Sequence, residues 1–137
     1  MTPADWTQFE AQLAHAYGSA RLRVDGYDLS LQVQRIKGLR YEITVYVNGW
    51  MKGEWLTQDC EERRRFLRPV TTYLHTPKER ARMKQTKAQE RLVRSIGIDP
   101  DKKGTYYVPW WTSAKALRRH LIAHNESIEW IKEDATP

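Results

Sequence analysis

The feature that most constrains the fold is the alternation of apolar and polar side chains that dominates residues 21–56. A period of two is typical of β-strands that bury one face. The alternating runs are separated by Asp25-Gly26, Lys37-Gly38 and Asn48-Gly49, and the first and last of these favour two-residue hairpin turns. The sequence therefore predicts a four-stranded antiparallel meander whose fourth strand covers residues 50–56.

A helix is predicted before the meander. Thr2 is a suitable N-cap, Pro3 fits the first turn, and Asp5 completes a capping box. Apolar residues then recur at steps of three and four, at Trp6, Phe9, Leu13 and Tyr17. We expect this helix to end at Gly18 and to pack its aromatic face on the sheet.

The middle of the chain is predicted to be helical. Thr57 caps a helix that Pro69 kinks or interrupts, and Thr76-Pro77 starts a second helix that runs to Ile96. Residues 57–97 therefore form a basic helical arm that projects from the domain.

The C-terminal part shows a strand–helix–strand pattern. Residues 105–111 have an extended pattern, and Thr112 or Ser113 then caps a helix that ends at Asn125. A short strand follows around residues 128–130, and the last five residues are expected to fray. The sequence thus predicts a single α+β domain over residues 1–137, with an N-terminal helix, the meander, the basic helical arm and this C-terminal strand–helix–strand.

Composition excludes several classes of protein. Of the 137 residues, 40% are hydrophobic and 29% are charged, which is typical neither of a disordered tail nor of a membrane protein. The single cysteine, Cys60, excludes an internal disulfide framework. The N-terminus lacks the basic and apolar blocks of a signal peptide, so we expect a cytoplasmic protein.

Positive charge is concentrated in one stretch. The chain carries 23 Lys and Arg against 17 Asp and Glu, and residues 57–103 contain 13 of the basic and 7 of the acidic side chains. The whole excess of +6 therefore lies there. Such a field attracts anionic partners.

Five cations of this stretch step by four and three residues along the second predicted helix. This basic stripe consists of Arg80, Lys84, Lys87, Arg91 and Arg94. At 100° per residue the five side chains fall in one sector. The stripe fits either a phosphate backbone or an acidic protein surface, and a solvated face with no partner is the alternative.

Further candidates for partner binding come from a second basic cluster and from tryptophans. Arg64 and Arg68 belong to a cluster around Pro69, and consecutive arginines on a helix are expected to diverge. Trp110 belongs to the aromatic run at residues 106–111, which is either core or an exposed stacking surface. Of Trp50 and Trp55, one is expected to face outward.

The sequence contains no catalytic signature. His120 and His124 share one helix face, but no Glu lies between them as in the HExxH metal motif. Cys60 is expected to be structural. We therefore expect no enzyme activity, no cofactor, no metal site and no small-molecule substrate.

Four short segments of the sequence resemble segments of known proteins. They are Tyr46-Val47-Asn48-Gly49-Trp50, Gly53-Glu54-Trp55, Cys60-Glu61-Glu62-Arg63-Arg64-Arg65-Phe66 and Tyr106-Tyr107-Val108-Pro109-Trp110-Trp111-Thr112-Ser113. Over most of its length the chain resembles small accessory proteins of bacteriophages and related mobile elements. That resemblance implies a bacterial host cytoplasm and inhibition of a host defence complex, as by anti-CRISPR proteins.

Two binding hypotheses follow from the stripe and this resemblance. In the first, the stripe binds a host protein or ribonucleoprotein complex, with exposed aromatics as anchors. In the second, the stripe binds DNA or RNA directly. Neither hypothesis involves a membrane.

Overall fold

The structure is a computed structural model that describes residues 1–132, so the expectation of a frayed C-terminus lies outside the described residues. The chain divides into two compact units. The first unit contains residues 1–68 and the chain from residue 107 onward, and the second unit contains residues 69–106. The arm predicted over residues 57–97 shares residues 69–97 with the second unit.

The first unit is built on a five-stranded antiparallel sheet, which confirms the α+β class. Its strands are β1 (Ser19–Val24), β2 (Tyr27–Lys37), β3 (Arg40–Val47), β6 (Trp110–Trp111) and β7 (Ile128–Ile131), in the order β6-β3-β2-β1-β7. The hairpin predicted at Asp25-Gly26 forms, with φ values of 47° and 87°. These positive φ values match the two-residue turn that the dipeptide favours.

The predicted fourth strand of the meander is wrong. Asn48 and Gly49 make the expected turn, but pairing stops after one bridge between Val47 and Trp50. A short helix, α2 (Glu54–Thr57), follows and buries Trp55 in the core. One edge of β3 pairs with β2, and β6 occupies the other edge and buries Trp111. No edge of β3 is therefore left for a strand over residues 50–56.

Two helices pack on the sheet. The N-terminal helix α1 (Pro3–Gln12) has the predicted capping box, in which the Thr2 Oγ1 accepts from the Asp5 N–H at 3.1 Å. The helix ends at Gln12, with Leu13 as its C-cap, and so stops before the predicted Gly18. Ser113 caps α6 (Ala114–His124) as predicted.

The core lies between these helices and one face of the sheet. All eighteen buried hydrophobic side chains of the described residues belong to the first unit. They include Phe9 from α1, Leu31 and Val45 from the sheet, and Leu117 and Leu121 from α6.

The predicted helix start at Thr57 is wrong, and of the two alternatives at Pro69 the helix is interrupted, not kinked. Helix α3 (Glu61–Phe66) begins after Cys60, which makes no side-chain cap, and ends at Leu67. Residues Arg68–Tyr73 form strand β4. Proline restricts its predecessor to extended backbone, and burial of Phe66 and Leu67 in the core holds the chain in that path.

The second unit contains most of β4 and of β5 (Lys103–Val108), which pair in a two-stranded sheet, and two helices. These are α4 (Pro77–Met83) and α5 (Lys87–Ser95). Gly97, at φ 90°, ends α5 as predicted. Within residues 1–132, no helix combines the length and apolar character that crossing a bilayer requires.

Candidate functional site

The helix that was expected to carry the basic stripe is interrupted. The capping box at Thr76 forms as predicted, since Thr76 Oγ1 accepts from the Glu79 N–H at 3.2 Å. The first helix ends at Met83, and Thr86 caps a new helix by accepting from the Gln89 N–H at 3.0 Å. The stripe is therefore divided between two helices, and the alignment calculated for one continuous helix does not hold.

Three of the five stripe cations surround one carboxylate. Asp101 accepts from Lys84 Nζ at 2.5 Å and from guanidinium nitrogens of Arg80 and Arg94 at 3.0 Å each. Arg94 also contacts Asp99 at 3.0 Å and Glu90 at 3.1 Å. The hydrogen bond from Lys84, followed by that from Arg80, lowers the pKa of Asp101 to about 2. The carboxylate is therefore ionised at neutral pH and neutralises part of the stripe.

Tyr73 adds a second partner for Arg80. The Arg80 guanidinium carbon lies 3.5 Å from the centroid of the Tyr73 ring, and Lys103 Nζ lies 5.0 Å from the same centroid. Cations over an aromatic face are attracted by its quadrupole. Arg80 is thus held between a ring and a carboxylate.

The two remaining stripe cations lie on α5. Lys87 and Arg91 are exposed and make no ion pair with any residue between 1 and 132. Two large apolar side chains of the same helix are also exposed, Leu92 at 64% and Ile96, which follows the last helical residue, at 67%. α5 therefore presents both free cations and uncovered apolar surface.

The arginines around Pro69 diverge, as the sequence predicted. Arg65 binds Asp25 and Glu61, each at 2.6 Å. Arg64 binds Asp59 at 3.1 Å, and Arg63 lies over a tyrosine ring. Arg68 is half-buried at the start of β4. The cluster therefore does not form one anion-binding surface.

Asp25 explains why Arg65 is held in place. The backbone N–H groups of Glu126 and Ser127 donate to its carboxylate and lower its pKa, and Arg65 adds to the effect. Arg65 also donates to Asn125 at 3.0 Å. These contacts join the β1–β2 turn, α3 and the end of α6, so the role of Arg65 is structural.

The tryptophans separate into buried and exposed members. Trp55 and Trp111 are buried, and Trp111 donates its indole N–H to the Phe66 carbonyl at 3.1 Å. Trp50 is 67% exposed and Trp110 is 37% exposed. The expectation that one of Trp50 and Trp55 faces outward is confirmed, and Trp50 and Trp110 remain candidates for partner contact.

His120 and His124 stack on each other with ring centroids 4.0 Å apart. His120 Nε2 lies 2.9 Å from the Arg64 carbonyl oxygen, and His124 Nδ1 lies 3.0 Å from the His120 carbonyl oxygen. Burial, together with His124, lowers the pKa of His120 to about 4. Across residues 1–132, no group of three or more His, Cys, Asp and Glu side chains is arranged to hold a metal ion.

Sequence reasoning missed the role of Asp101 and the break at residues 84–86. The break had a local signal, because Thr86 and Gln89 have the spacing of a capping box. Asp101 had no such signal, since its partners lie 7 to 21 residues away along the chain.

Comparisons of this chain with known protein families, with curated proteins and with solved structures found no match.

Proposed function

We propose that this chain is a non-enzymatic binding protein whose helix α5 docks in an acidic, apolar groove of a protein partner. The proposal depends on one observation above all, the exposure of Leu92 and Ile96 on a helix that also carries the free cations Lys87 and Arg91. Helices that bind in grooves present anchors at steps of three and four residues, and Leu92 and Ile96 have that spacing.

The two kinds of side chain have different roles in such an interface. Burying Leu92 and Ile96 contributes about 1.5–3 kcal/mol each. Lys87 and Arg91 attract an acidic surface, speed association and fix the orientation. Together these terms favour a groove with an apolar floor and acidic rims.

The partner that we propose is a host complex that handles nucleic acid and acts in defence. The resemblance to accessory proteins of mobile elements supports this choice, and inhibition of the complex is the expected consequence. The first unit by itself exposes Trp50 and Trp110, and aromatic side chains are enriched among the residues that dominate binding energy.

Direct binding of nucleic acid by the basic stripe is the weaker alternative. A helix that follows a phosphate backbone along its length requires several aligned cations. Arg80, Lys84 and Arg94 are engaged with Asp101, which leaves two stripe cations without ion pairs in the described residues.

The test measures binding to purified RNA-guided nuclease complexes and inhibition of their cleavage activity. We expect L92S/I96S to weaken binding at least about 100-fold, because two anchors are lost. The matched control Ile122→Ser replaces an exposed isoleucine of the first unit and should bind as the wild type does. K87E/R91E should mainly slow association.

Two outcomes would contradict the proposal. If the wild-type chain binds none of the complexes, the partner is wrong. If L92S/I96S binds as tightly as the wild type, α5 is not the docking helix, whatever the partner is.

A further inference from the structure

The β2–β3 hairpin of the first unit extends beyond the strands beside it. Pairing of β1 with β2 ends at Gln32, and β6 pairs with β3 only at Ile43 and Thr44. The pairs Arg35–Tyr41 and Lys37–Arg40 therefore have no third strand beside them in residues 1–132. We call residues 35–41 the basic ribbon.

The basic ribbon is cationic over its whole length. Arg35, Lys37 and Arg40 are its charged residues, and residues 35–41 contain no Asp or Glu. Arg40 binds Glu42 at 2.9 Å, yet its side chain remains 67% exposed. Arg35 and Lys37 are exposed and form no ion pair within the described chain. The ribbon thus presents two uncompensated cations and one shared cation.

The tip of the ribbon is apolar. Leu39 is 92% exposed at the turn, next to Gly38, whose φ is 59°. Ile36, the extra residue of a register shift between Arg35 and Lys37, is also exposed. A leucine so exposed contributes little to the stability of the unit, because its surface is not removed from water on folding.

We propose that the basic ribbon binds duplex DNA in the minor groove, with Arg35 and Lys37 on phosphates and Leu39 inserted between base pairs. Two-stranded ribbons are known to read either groove, and proteins that bend DNA insert leucine or isoleucine at base steps. The cations complement the phosphates on either side of the groove. This activity goes beyond the docking of α5 and shares no residue with it.

The first experiment measures anisotropy of a fluorescent duplex at about 50 and 200 mM salt. Two to three phosphate contacts predict a loss of affinity of roughly 10- to 40-fold over that range. R35E/K37E should abolish binding. R21E/K52E makes the same change of net charge at exposed positions of the same unit and should retain binding.

The second experiment tests insertion of Leu39. A duplex with 2-aminopurine reports unstacking, and end labels report bending. Wild-type protein should increase both signals, whereas Leu39→Ser should bind through the same phosphates with neither change. Equal signals from the wild type and Leu39→Ser would overturn the insertion of Leu39.

The remaining outcomes decide the site and the partner. Absence of duplex binding at the lower salt overturns the proposal. So does an equal loss of duplex binding in R35E/K37E and K87E/R91E, because a general charge effect would then explain it. Binding to phosphatidylserine vesicles that R35E/K37E abolishes, without binding to duplex, would assign the ribbon to a membrane surface instead. The α5 variants change no residue of the basic ribbon. Failure of this proposal can therefore be distinguished from failure of the proposed function.

Discussion

The two units of this chain are stabilised in different ways. The first unit contains all eighteen buried hydrophobic side chains found among the described residues. In the second unit, over residues 69–106, Pro100 is the only buried residue. That unit carries nine basic and four acidic side chains, so its net charge is +5 out of a total of +6.

The comparison shows what each kind of stabilisation permits. Burial of apolar surface gives the first unit a rigid scaffold. The second unit depends on helix caps, two paired strands and ion pairs around Asp101, which are individually weak. Its apolar side chains are left on the surface, where a partner can bury them.

The largest expected effect is in the first unit. Phe9→Ala should lower the free energy of unfolding by about 3–5 kcal/mol, because it removes a fully buried aromatic ring and leaves a cavity. Leu92→Ala in the second unit should change it by less than about 0.5 kcal/mol. Urea denaturation measures both. Equal losses would show that the two units do not differ as described.

The next effect is a pH dependence of the first unit. The pKa of His120 is lowered from 6.5 to about 4, so the unfolded chain binds a proton at a higher pH than the folded chain does. The free energy of unfolding should therefore fall as the pH decreases from 6.5 to 4, by about 2 kcal/mol after discounting for solvent screening.

His120→Gln tests this prediction, because glutamine does not titrate. Urea denaturation at several pH values should show a smaller decrease for the variant over the same range. The same slope in both proteins would show that other groups cause the acid sensitivity.

A smaller effect is expected from the helix cap in the second unit. Thr86→Ala removes the hydrogen bond to the Gln89 N–H and should destabilise α5 by about 1 kcal/mol. Amide hydrogen exchange should then be roughly fivefold faster over residues 87–95. Thr112→Ala, at an exposed threonine outside any helix, is the matched control. Faster exchange in the first unit of the Thr86 variant would mean that the two units open together.

The smallest effect is expected from Asp101→Asn, since ion pairs in contact with water contribute little. Exchange over residues 77–96 should become faster and should lose its dependence on salt concentration. In the wild type, the ionised Asp101 carboxylate stabilises the second unit. This stabilisation is fully present above the ordinary pKa of 3.8 and is lost as the pH falls towards about 2. Unchanged exchange in the variant would show that the cluster around Asp101 does not hold the second unit together.

Local signals in the sequence predicted much of the fold. The capping boxes at Thr2 and Thr76 and the turn at Asp25-Gly26 each depend on residues within a few positions of one another. Such interactions form in the same way whatever surrounds them. The same reasoning also predicted that consecutive arginines diverge and that Trp50 or Trp55 faces outward.

The wrong secondary-structure predictions have a common cause, because segments distant in the sequence compete for the same place in the core. Residues 50–56 have the alternation of a strand, but β6 occupies the edge of β3 and Trp55 is buried from a helix instead. Similarly, the pattern through Pro69 suits a helix, and burial of Phe66 and Leu67 ends it early. A local pattern contains no information about which distant segment occupies a given place in the core.

The sequence by itself determined the α+β class, the three hairpin strands β1 to β3, the caps of α1, α4 and α6, and the location of the positive charge. Only the tertiary structure decided which charges remain available, because Asp101 gathers cations from both helices of its unit. It also decided which apolar side chains stay exposed, Leu39, Leu92 and Ile96 among them. Local signals act between neighbours in the chain, whereas burial and ion pairing depend on neighbours in space.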